Sequence, residues 1–312
     1  MKPKFRAGFI ALVGRPNVGK STLINQLIGE KVAIVSPKPQ TTRTRIQGII
    51  NRDDVQMILV DTPGIVQATS VLRRCMRRTA STVIDGADVT LLVVDCSSGV
   101  AKLNDADREA LKVIGNKGGK LIVALNKIDA ILSKDLLLPW IALYNETLSP
   151  TALVPISALS SDGLDELLKL LIDALPESEP LFDRDLHTDQ AERFLCGELI
   201  REQMLLQLRA EVPHAAAVMI ESFDDQRRDD GSGLVRIEGC IYVERESQKG
   251  IVVGKKGTQI KKLGQEARQA IEAMLGCKVY LHLVVRVATN WSDKDREVQR
   301  FGYNPDHRGD SW

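Results

Sequence analysis

The chain has 312 residues, of which 44% are hydrophobic and 27% are charged, and its formal net charge is +1. This length suits two domains, each large enough to bury a core, and the composition is that of an ordinary soluble protein. No apolar stretch approaches the roughly 20 residues of a transmembrane helix. The basic N-terminal residues precede only a short apolar run, which predicts a first strand rather than a signal peptide.

Cysteine usage bears on the compartment and on metal binding. The five cysteines are scattered and odd in number, and none forms a C-x-x-C pair. This pattern argues against a zinc site and against a disulfide framework, and it favours a reducing compartment. We therefore expect a cytoplasmic protein, and peripheral contact with the inner membrane through a surface helix stays open.

The first apolar run, Phe9–Val13, leads into the sequence GRPNVGKS at Gly14–Ser21. This is the phosphate-binding pattern G-x-x-x-x-G-K-[ST], placed as it must be between a strand and a helix, here predicted over Thr22–Ile28. The glycines let several backbone N–H groups converge on an anion, and the helix dipole supports them. Lys20 would contact the outer phosphates and Ser21 would bind Mg²⁺. The motif alone leaves a simple glycine-containing turn open.

Short apolar runs alternate with helical patterns through residue 175. Runs without polar alternation are typical of a mostly parallel sheet covered on both faces. Between them, amphipathic stretches such as Ala106–Ile114 and Leu164–Leu175 have the length of helices. We predict a doubly wound α/β domain with a six-stranded sheet and a ligand at the carboxyl ends of its strands. The predicted strands are Phe9–Val13, Ile46–Ile50, Met57–Val60, Val89–Val94, Leu121–Leu125 and Ala152–Ile156.

Polar motifs follow three of these strands. In Asp61–Gly64 (DTPG), the aspartate can hold Mg²⁺ through water and the glycine can turn its amide toward a terminal phosphate. In Asn126–Asp129 (NKID), the last carboxylate could accept hydrogen bonds from N1–H and the exocyclic amine of guanine. Adenine would leave that carboxylate unpaired, a loss of about 1–3 kcal/mol or more. Ser157–Leu159 offers a backbone contact to the base. Alone, each motif is also compatible with a polar turn.

In this order and at these intervals, the motifs resemble the translation-factor-related class of GTPases, and Pro37–Arg43 resembles the first switch of its Era subgroup. The resemblance implies GTP or GDP with Mg²⁺, bound directly by Ser21 and Thr42 and through water by Asp61; we prefer Thr42 to Thr41 as the ligand. It implies nucleotide contacts at Gly14, Arg15, Pro16, Asn17, Val18, Gly19, Lys20, Ser21, Thr22, Asp61, Thr62, Pro63, Gly64, Asn126, Lys127, Asp129, Ser157, Ala158 and Leu159. Lys127 would pack its stem over the base, with Asn126 bracing the loop.

Catalysis is assigned on the same resemblance to Lys20, Thr42, Gly64 and Asn17. Ile65 follows the D-x-x-G motif where Ras-like GTPases place the glutamine that orients water. Because isoleucine cannot hydrogen-bond a nucleophile, we expect slow intrinsic hydrolysis that relies on metal ions, the switch backbone and a bound partner. Asn17 stands where related GTPases help to hold K⁺, which would neutralise charge in the transition state. Asn17 could equally serve only to stabilise the phosphate loop.

The pattern changes after residue 175. Pro176–Pro180 breaks the helical periodicity and Leu181–Gln190 stays polar, so we predict a first domain over residues 1–175, a linker over 176–191 and a second domain over 192–312. The second domain is predicted to be α+β, in the order α-β-β-α-α-β. Its elements are Phe194–Leu208, Ala215–Phe223, Leu234–Glu244, helical segments on both sides of Gly254, and Lys278–Ala288, with a hairpin turn at Asp229–Gly233 and a charged helix from Asp293 to Arg300.

The turn Gly254–Gly257 (GKKG) is the chemical centre of this second domain. A G-x-x-G turn lets a nucleic-acid backbone come close to the main chain, and the helix after it favours phosphate. The basic residues around it are Lys249, Lys255, Lys256, Lys261, Lys262 and Arg268. Ile251, Val252, Val253 and Ile260 would form a groove floor for unstacked bases or belong to the core. A solvated basic helix with a glycine turn is the alternative.

Val243–Gly257 and Glu211–His214 resemble the KH domain of the Era family, which has the bacterial (type II) topology. This implies a monomer that binds single-stranded RNA, not DNA, near the 3′ end of small-subunit ribosomal RNA during small-subunit assembly. The implied RNA-binding residues are Lys249, Ile251, Val253, Gly254, Lys255, Lys256, Gly257, Ile260, Lys261 and Lys262. Trp291 would stack on a base or, more in keeping with its place, pack against the sheet. The tail Asn304–Trp312 has no assigned role.

Two other functions stay open at this point. One is a GTP-dependent RNA-binding switch with negligible hydrolysis, which Ile65 favours. The other is a P-loop kinase or ATPase, against which Asp129 argues because its carboxylate suits guanine.

Overall fold

The structure is a computed structural model that describes residues 5–65, 68–115, 119–228 and 233–304. Its first part is a six-stranded sheet with the order β2-β3-β1-β4-β5-β6, in which β2 runs antiparallel to β3 and the other neighbours are parallel. The strands are β1 Arg6–Val13, β2 Ile46–Arg52, β3 Val55–Asp61, β4 Val89–Asp95, β5 Lys120–Asn126 and β6 Ala152–Pro155. All six predicted strands are confirmed within a few residues of their predicted ends.

Helices cover both faces of this sheet. They are α1 Lys20–Ile28, α2 Val71–Asp85, α3 Asp105–Ile114, α4 Leu138–Leu148 and α5 Leu164–Ala174. Alternate residues of β1 enter the two separate cores: Ile10 packs in the cluster that holds Leu23 of α1, and Ala11 packs in the cluster that holds Trp140 of α4. Burial on both faces explains why the strands read as continuous apolar runs.

The segment 176–191 contacts strands β1, β3 and β2 of the first sheet in turn. Glu177 forms an antiparallel bridge with Arg6, and the amide of Gln56 on β3 accepts hydrogen bonds from the backbone N–H groups of Leu181 and Phe182. Further along, the backbone N–H of Ile49 on β2 donates to the carbonyl of His187 at 2.8 Å. The segment predicted as a linker from its polar composition is therefore bound to the first sheet by hydrogen bonds.

The second part is a three-stranded sheet with helices, in the predicted order α-β-β-α-α-β. Its elements are α6 Glu192–Gln207, β7 Ala217–Asp225, β8 Leu234–Val243, α7 Glu246–Val253, α8 Thr258–Leu275, β9 Lys278–Val287 and α9 Asp295–Arg300. β8 pairs antiparallel with β7 and parallel with β9, so the chain crosses over through α7 and α8. This confirms the predicted fold class. Most of the predicted turn Asp229–Gly233 and all but the first residue of the tail Asn304–Trp312 lie outside the described residues.

A further hydrophobic cluster, separate from the cores of the two parts, joins them. Val71 and Met76 of α2 pack with Trp291 and Phe301, which follow β9. Trp291 is fully buried, stacks on Tyr303 and meets the ring of Phe301 edge to face. Its indole N–H donates to the carbonyl of Ala215 at 2.8 Å. Of the two roles open for Trp291, packing is the one observed. Within the described residues, no helix is both long and apolar enough to cross a bilayer.

Candidate functional site

Two hydroxyls and a carboxylate meet at the end of β3. Ser21 Oγ donates to Asp61 Oδ2 at 2.7 Å, and Thr42 Oγ1 donates to the same oxygen at 2.9 Å. The two hydroxyl oxygens lie 3.0 Å apart. These side chains come from α1, the first-switch segment and β3. Because Mg²⁺ prefers a set of oxygen ligands, this trio has the chemistry of a magnesium site.

One oxygen of the buried Asp61 carboxylate, Oδ1, has no hydrogen-bond partner among the described residues. Burial raises the pKa of Asp61, although nearby Lys20 and two hydroxyls oppose the rise. Burial likewise lowers the pKa of Lys20. Among the described residues, its Nζ donates to the carbonyls of Gly14 and Arg15, at the long distances of 3.3 and 3.4 Å. A cation beside Asp61 and an anion beside Lys20 would supply the missing partners.

The neighbouring threonine points elsewhere. Thr41 Oγ1 donates to the carbonyl of Lys38 at 2.8 Å and lies 2.9 Å from Ser36 Oγ. Its hydroxyl is therefore committed inside its own loop, whereas that of Thr42 faces Asp61. This geometry supports the preference for Thr42.

The phosphate loop presents uncapped backbone donors. Helix α1 begins at Lys20, and its cap Gly19 has φ of 100° and no side chain that caps the first N–H groups. Such N–H groups are available to an anion. Gly64 lies against this loop, because a Cβ at that position would come within 2.9 Å of the N and Cα atoms of Pro16. Only glycine allows the D-x-x-G turn to approach the phosphate loop so closely.

The base-side motifs meet behind this loop. Asn126 Nδ2 donates to the carbonyl of Val18 at 2.7 Å, and its Oδ1 accepts from the backbone N–H of Ala158 at 2.9 Å. Asp129 Oδ1 accepts a hydrogen bond from Ser157 Oγ at 2.5 Å, and its side chain is exposed. The structure thus brings the N-K-x-D and S-A-L motifs into direct contact beside the phosphate loop, with the carboxylate of Asp129 exposed there.

The G-K-K-G turn stands at the end of α7. Gly254 and Gly257 have φ of 72° and 77°, and Lys256 between them also has a positive φ of 52°. A Cβ on Gly254 would lie 2.9 Å from the backbone N of Gln259, so this close turn requires glycine. Lys255 and Lys256 are exposed, and α8 starts immediately afterwards without a side-chain cap.

The apolar residues beside this turn divide into two groups. Val252 is fully buried in the core of the second domain. Ile251 is 51% exposed, while Val253 and Ile260 are half-buried. Val252 therefore belongs to the core, whereas Ile251, Val253 and Ile260 keep part of their apolar surface exposed beside the G-K-K-G turn.

Comparison with known proteins agrees with both halves. Residues 9–127 match a family model described as 50S ribosome-binding GTPase, and residues 211–292 match the KH domain model. The chain is 44% identical over 300 residues to GTPase Era of Syntrophus aciditrophicus, and the aligned region covers 96% of each protein. The chain belongs to the Era family of GTPases. The resemblance that the motifs suggested is confirmed.

Two solved Era structures share this fold over nearly their full length. One is a point variant of Aquifex aeolicus Era bound to GDP·AlF4⁻, at 40% identity and a TM-score of 0.90, covering 96% of this chain and 100% of that one. The other is Era in complex with MgGDPNP and nucleotides 1506–1542 of 16S ribosomal RNA, also at 40% identity and a TM-score of 0.90, covering 96% and 99%. The matches show that an Era protein has both domains in this arrangement.

Some residues of the sequence-predicted site have other contacts in this Era-family fold. Thr62 is buried and its hydroxyl donates to the carbonyl of Leu12 at 2.7 Å, so only its backbone is left for a ligand. The Val18 side chain is buried and that of Leu159 is 78% exposed. Ile65 is buried in the core beneath the sheet, with its backbone N–H 3.4 Å from the carbonyl of Gly14.

Sequence reasoning missed Asp95, the last residue of β4. Its carboxylate accepts from Lys127 Nζ at 2.8 Å and pairs with Arg15 at 3.5 Å, and Lys127 also donates to the carbonyl of Asn17 at 2.8 Å. The pKa of Asp95 is lowered by the hydrogen bonds from Lys127 and Ser97, against the effect of burial. Its place at the carboxyl end of a central strand, the same edge as the other motifs, was a signal that could have identified it.

The first switch and the residues before it also contact the KH domain. No sequence motif predicted this contact. Glu202 of α6 accepts from the backbone N–H of Val35 at 2.9 Å and from Lys31 Nζ at 2.5 Å. The guanidinium of Arg201 on the same helix is buried and donates to the carbonyl of Thr41. Helix α6 of the second domain is therefore bonded both to the first switch, at Thr41, and to the residues just before it, at Lys31 and Val35.

Proposed function

We propose that this chain hydrolyses GTP with Mg²⁺, binds the 3′ region of small-subunit ribosomal RNA through its KH domain, and acts in assembly of the small ribosomal subunit. The single observation that carries the proposal is the meeting of Ser21, Thr42 and Asp61 beside buried Lys20, in a chain that also exposes a G-K-K-G turn. The RNA bound by the related Era protein supports the choice of RNA. This role places the protein in the cytoplasm, where ribosomes assemble.

In the nucleotide site, Ser21 and Thr42 would hold Mg²⁺ directly and Asp61 would hold it through water. Bound Mg²⁺ would neutralise charge on the outer phosphates and orient them. Lys20 and the uncapped N–H groups at the start of α1 would bind the same phosphates. The carboxylate of Asp129, already positioned by Ser157, would accept both donor groups of guanine and so select GTP over ATP.

Hydrolysis is proposed to be slow without a partner. The side chain of Ile65 has no hydrogen-bonding group, and it is buried in the core of the first domain. The backbone of Gly64 and the hydroxyl-bearing first switch are left to position water. Since the amide nitrogen of Asn17 donates to the carbonyl of Pro37 at 2.7 Å, its oxygen is the atom that would coordinate K⁺. Asn17 would then both hold the switch loop and place a cation near developing charge.

Steady-state hydrolysis of GTP and ATP tests the nucleotide half. The reaction is run with and without an RNA that copies the 3′ end of the small-subunit ribosomal RNA, in K⁺ and in Na⁺. We expect GTP alone to be turned over, faster with RNA and faster in K⁺ than in Na⁺. Equal turnover of ATP would refute the assignment of Asp129. Absence of turnover with RNA and K⁺ present would favour the second candidate, a GTP-dependent RNA switch, for which buried Ile65 is the supporting observation.

Replacement of two lysines tests the RNA half. Lys255→Gln with Lys256→Gln should weaken binding of the single-stranded RNA and flatten its salt dependence by about one unit of log–log slope per lost contact. Lys134→Gln with Lys169→Gln, both exposed lysines of the first domain, is the matched control. If affinity and slope are the same in both double variants, the groove lies elsewhere.

A further inference from the structure

A cavity of about 670 Å³ lies between the two domains, and we call it the interdomain cavity. Its walls come from the start of β2, the segment 186–191, helix α6, strand β7 and residues 300–304. Among the residues that the structure describes, its lining includes neither the phosphate loop nor the G-K-K-G turn. A cavity of this size has room for a small organic molecule, and the boundary between domains is a common place for such a ligand.

A glycine in helix α6 leaves space in the interdomain cavity. Gly197 lies in the interior of α6 and lines the cavity. Glycine is unfavourable inside a helix, so a glycine there is usually explained by a close contact that excludes a side chain. Here a Cβ would meet Ile220 Cγ1 at 3.7 Å, an ordinary contact, and no other described atom within 4 Å outside the local helix backbone. No close contact therefore requires Gly197, and its missing side chain enlarges the cavity.

Much of the cavity wall is apolar, and part of it is aromatic. Phe194 of α6 and Met219 of β7 line the cavity and are half-buried. Phe301 and Tyr303 line it from the segment after α9. Aromatic rings and thioether groups pack favourably against other aromatic rings. The wall therefore suits a ligand with a planar aromatic body.

Arginines outnumber carboxylates among the charged residues of this wall. The charged lining residues are Arg43, Arg45, Arg193, Arg300, Asp189 and Glu198. Glu198 is neutralised by Arg201 of the same helix, which donates to its two oxygens at 2.8 and 2.6 Å. Burial raises the pKa of Asp189, although Gln190 and Arg45 oppose the rise, so this carboxyl is less strongly acidic than an exposed one. Arg300 pairs with Glu297 at 3.2 Å.

The other two arginines donate to neutral acceptors. Nε and one terminal nitrogen of Arg193 donate to the carbonyl of Ile220 at 3.2 and 2.5 Å. Arg43 donates to backbone carbonyls of the second domain, among them that of Ala216. Arg43 is 3% exposed, and its Nε is buried without a hydrogen-bond partner among the described residues. An anion in the cavity would complement the charge of both guanidinium groups.

We propose that the interdomain cavity binds a small aromatic carboxylate, with its rings against Phe194 and Met219 and its acid group beside Arg43 and Arg193. Guanidinium groups are the preferred partners of a carboxylate, and an apolar wall around them strengthens the attraction. Such a ligand would contact both domains and would hold Arg43, the neighbour of Thr42, in its docked position. The inference goes beyond the proposed function and does not depend on RNA binding.

The chemistry of the wall distinguishes this ligand from two other occupants. A nucleic acid needs an exposed basic surface along which its phosphates can lie. Arg43 is buried instead, in a cavity that also carries apolar side chains. The second alternative is the segment 305–312, which follows Asn304 on the cavity wall and lies outside the described residues. The experiment below separates this segment from a bound small molecule.

The test uses the full chain saturated with Mg²⁺ and GDP, so that the nucleotide site is occupied. Its probes are 2-naphthoate and 2-naphthamide, which share one ring system and differ in charge. Isothermal titration calorimetry should show 2-naphthoate saturating one site at concentrations below about 1 mM. The amide should bind about tenfold more weakly, because it lacks charge-assisted hydrogen bonds to the arginines.

Two pairs of variants locate the site. Gly197→Leu fills the cavity and should abolish binding of 2-naphthoate, whereas Gly197→Ala adds only a Cβ at an ordinary distance and should retain it. Arg193→Gln should lower the affinity for 2-naphthoate to that for the amide and leave the amide unaffected. Arg209→Gln, at an exposed position outside the cavity wall, should change neither affinity. The affinity for GDP reports whether each variant is folded.

The inference is overturned if the unaltered chain binds neither probe, binds both equally, or still binds 2-naphthoate with Gly197→Leu. It is also overturned if only a chain shortened to end at Asn304 binds 2-naphthoate, because residues 305–312 would then be the occupant. If Gly197→Leu loses GDP binding, Arg193→Gln decides: an unchanged preference for the carboxylate refutes the site. None of these outcomes alters the proposal of GTP hydrolysis and RNA binding, which is tested separately.

Discussion

The guanidinium of Arg43 donates a hydrogen bond to the carbonyl oxygen of Ala216 at 2.6 Å, across the boundary between the two domains. The same guanidinium donates to the carbonyls of Pro213 at 3.1 Å and His214 at 2.7 Å. Arg43 directly follows Thr42, whose hydroxyl belongs to the trio proposed to bind Mg²⁺. Movement of the first switch on loss of the metal and nucleotide would therefore pull on three bonds to the KH domain. These bonds give a physical basis for coupling between the nucleotide state of the first domain and the RNA affinity of the second.

Replacing Arg43 should both destabilise the chain and weaken this coupling. Arg43→Ala removes the donors for three carbonyl groups at a buried site, so the free energy of unfolding should fall by about 2–4 kcal/mol. The ratio of RNA affinities in the GTP-analogue and GDP forms should move toward one. Urea denaturation and RNA titrations in the two nucleotide states measure these effects.

Arg52→Ala, at the exposed end of β2, serves as the control for Arg43→Ala and should alter neither quantity. A full nucleotide dependence of RNA binding in the Arg43 variant would show that the domains communicate by another route. The contacts of Arg201 and Glu202 with the first switch would then be the next to test.

His214 predicts how stability responds to acid. Burial lowers the pKa of His214 below its ordinary value of 6.5, and neighbouring cations, Arg43 first, lower it further. The unfolded chain therefore takes up this proton before the folded chain does as the pH falls. The stability that neutral His214 provides is complete above about pH 6.5 and decreases as the pH falls from there toward the folded-state pKa.

We expect His214→Gln to flatten this acid-side loss of stability, measured by urea denaturation in steps between about pH 7.5 and 5.5. His282→Gln, at an exposed position on β9, should keep the pH profile of the unaltered chain. If the His214 and His282 variants give parallel profiles, another group is responsible for the acid sensitivity.

The sheet was predictable because its signals are local. Each strand of the first domain is a short, continuous apolar run, such as Val89–Val94. Because both faces of the sheet are buried, apolar and polar residues do not alternate along these strands. The phosphate loop and Asp61 lie at strand ends, so the rule that parallel strands end at one edge was enough to group them.

The contacts between the domains were not predictable in the same way. Arg43 and Ala216 are 173 residues apart, and the acceptor is a backbone carbonyl, which any residue type would provide. The side chain of Thr42 faces the metal site and that of Thr41 does not, a difference set by how the loop closes on Lys38. For Trp291, the choice between a base and the core was decided by its packing with α2 and with residues of the second domain that are distant in sequence.

Ile65 gives a prediction about the mechanism of hydrolysis. Because its side chain is buried in the core, Ile65→Gln should place an amide among apolar groups rather than next to the attacking water. We expect no increase in GTP turnover and a loss of about 1–3 kcal/mol in the free energy of unfolding. Single-turnover hydrolysis and urea denaturation are the measurements.

Leu132→Gln, at a fully exposed position, should leave turnover and stability unchanged and so controls for the substitution itself. An increase in turnover for Ile65→Gln would mean that the segment after Gly64 leaves the core during the reaction. In that case the missing glutamine, and not a requirement for RNA or K⁺, would account for slow hydrolysis.

Asp129 carries the prediction about base selectivity. Its carboxylate has two acceptor oxygens, and Ser157 Oγ, 2.5 Å from Oδ1, holds the group in place at the rim of the cleft. Asp129→Asn replaces one acceptor with a donor, which then faces the exocyclic amine of guanine. Affinity for GTP should fall by about tenfold to two hundredfold, equivalent to about 1–3 kcal/mol. Xanthosine triphosphate, which has a carbonyl oxygen in place of that amine, should gain affinity because the new amide can donate to it.

Competition titrations with GTP, ATP and xanthosine triphosphate would measure the loss of GTP affinity and the gain of xanthosine triphosphate affinity. Asp135→Asn, an exposed carboxylate on the same side of the sheet after β5, should bind all three as the unaltered chain does. Loss of all three affinities together in Asp129→Asn would indicate a damaged loop, which Ser157→Ala should then reproduce. Unchanged GTP affinity with no gain for xanthosine triphosphate would place the base away from Asp129, and the guanine preference would need another source.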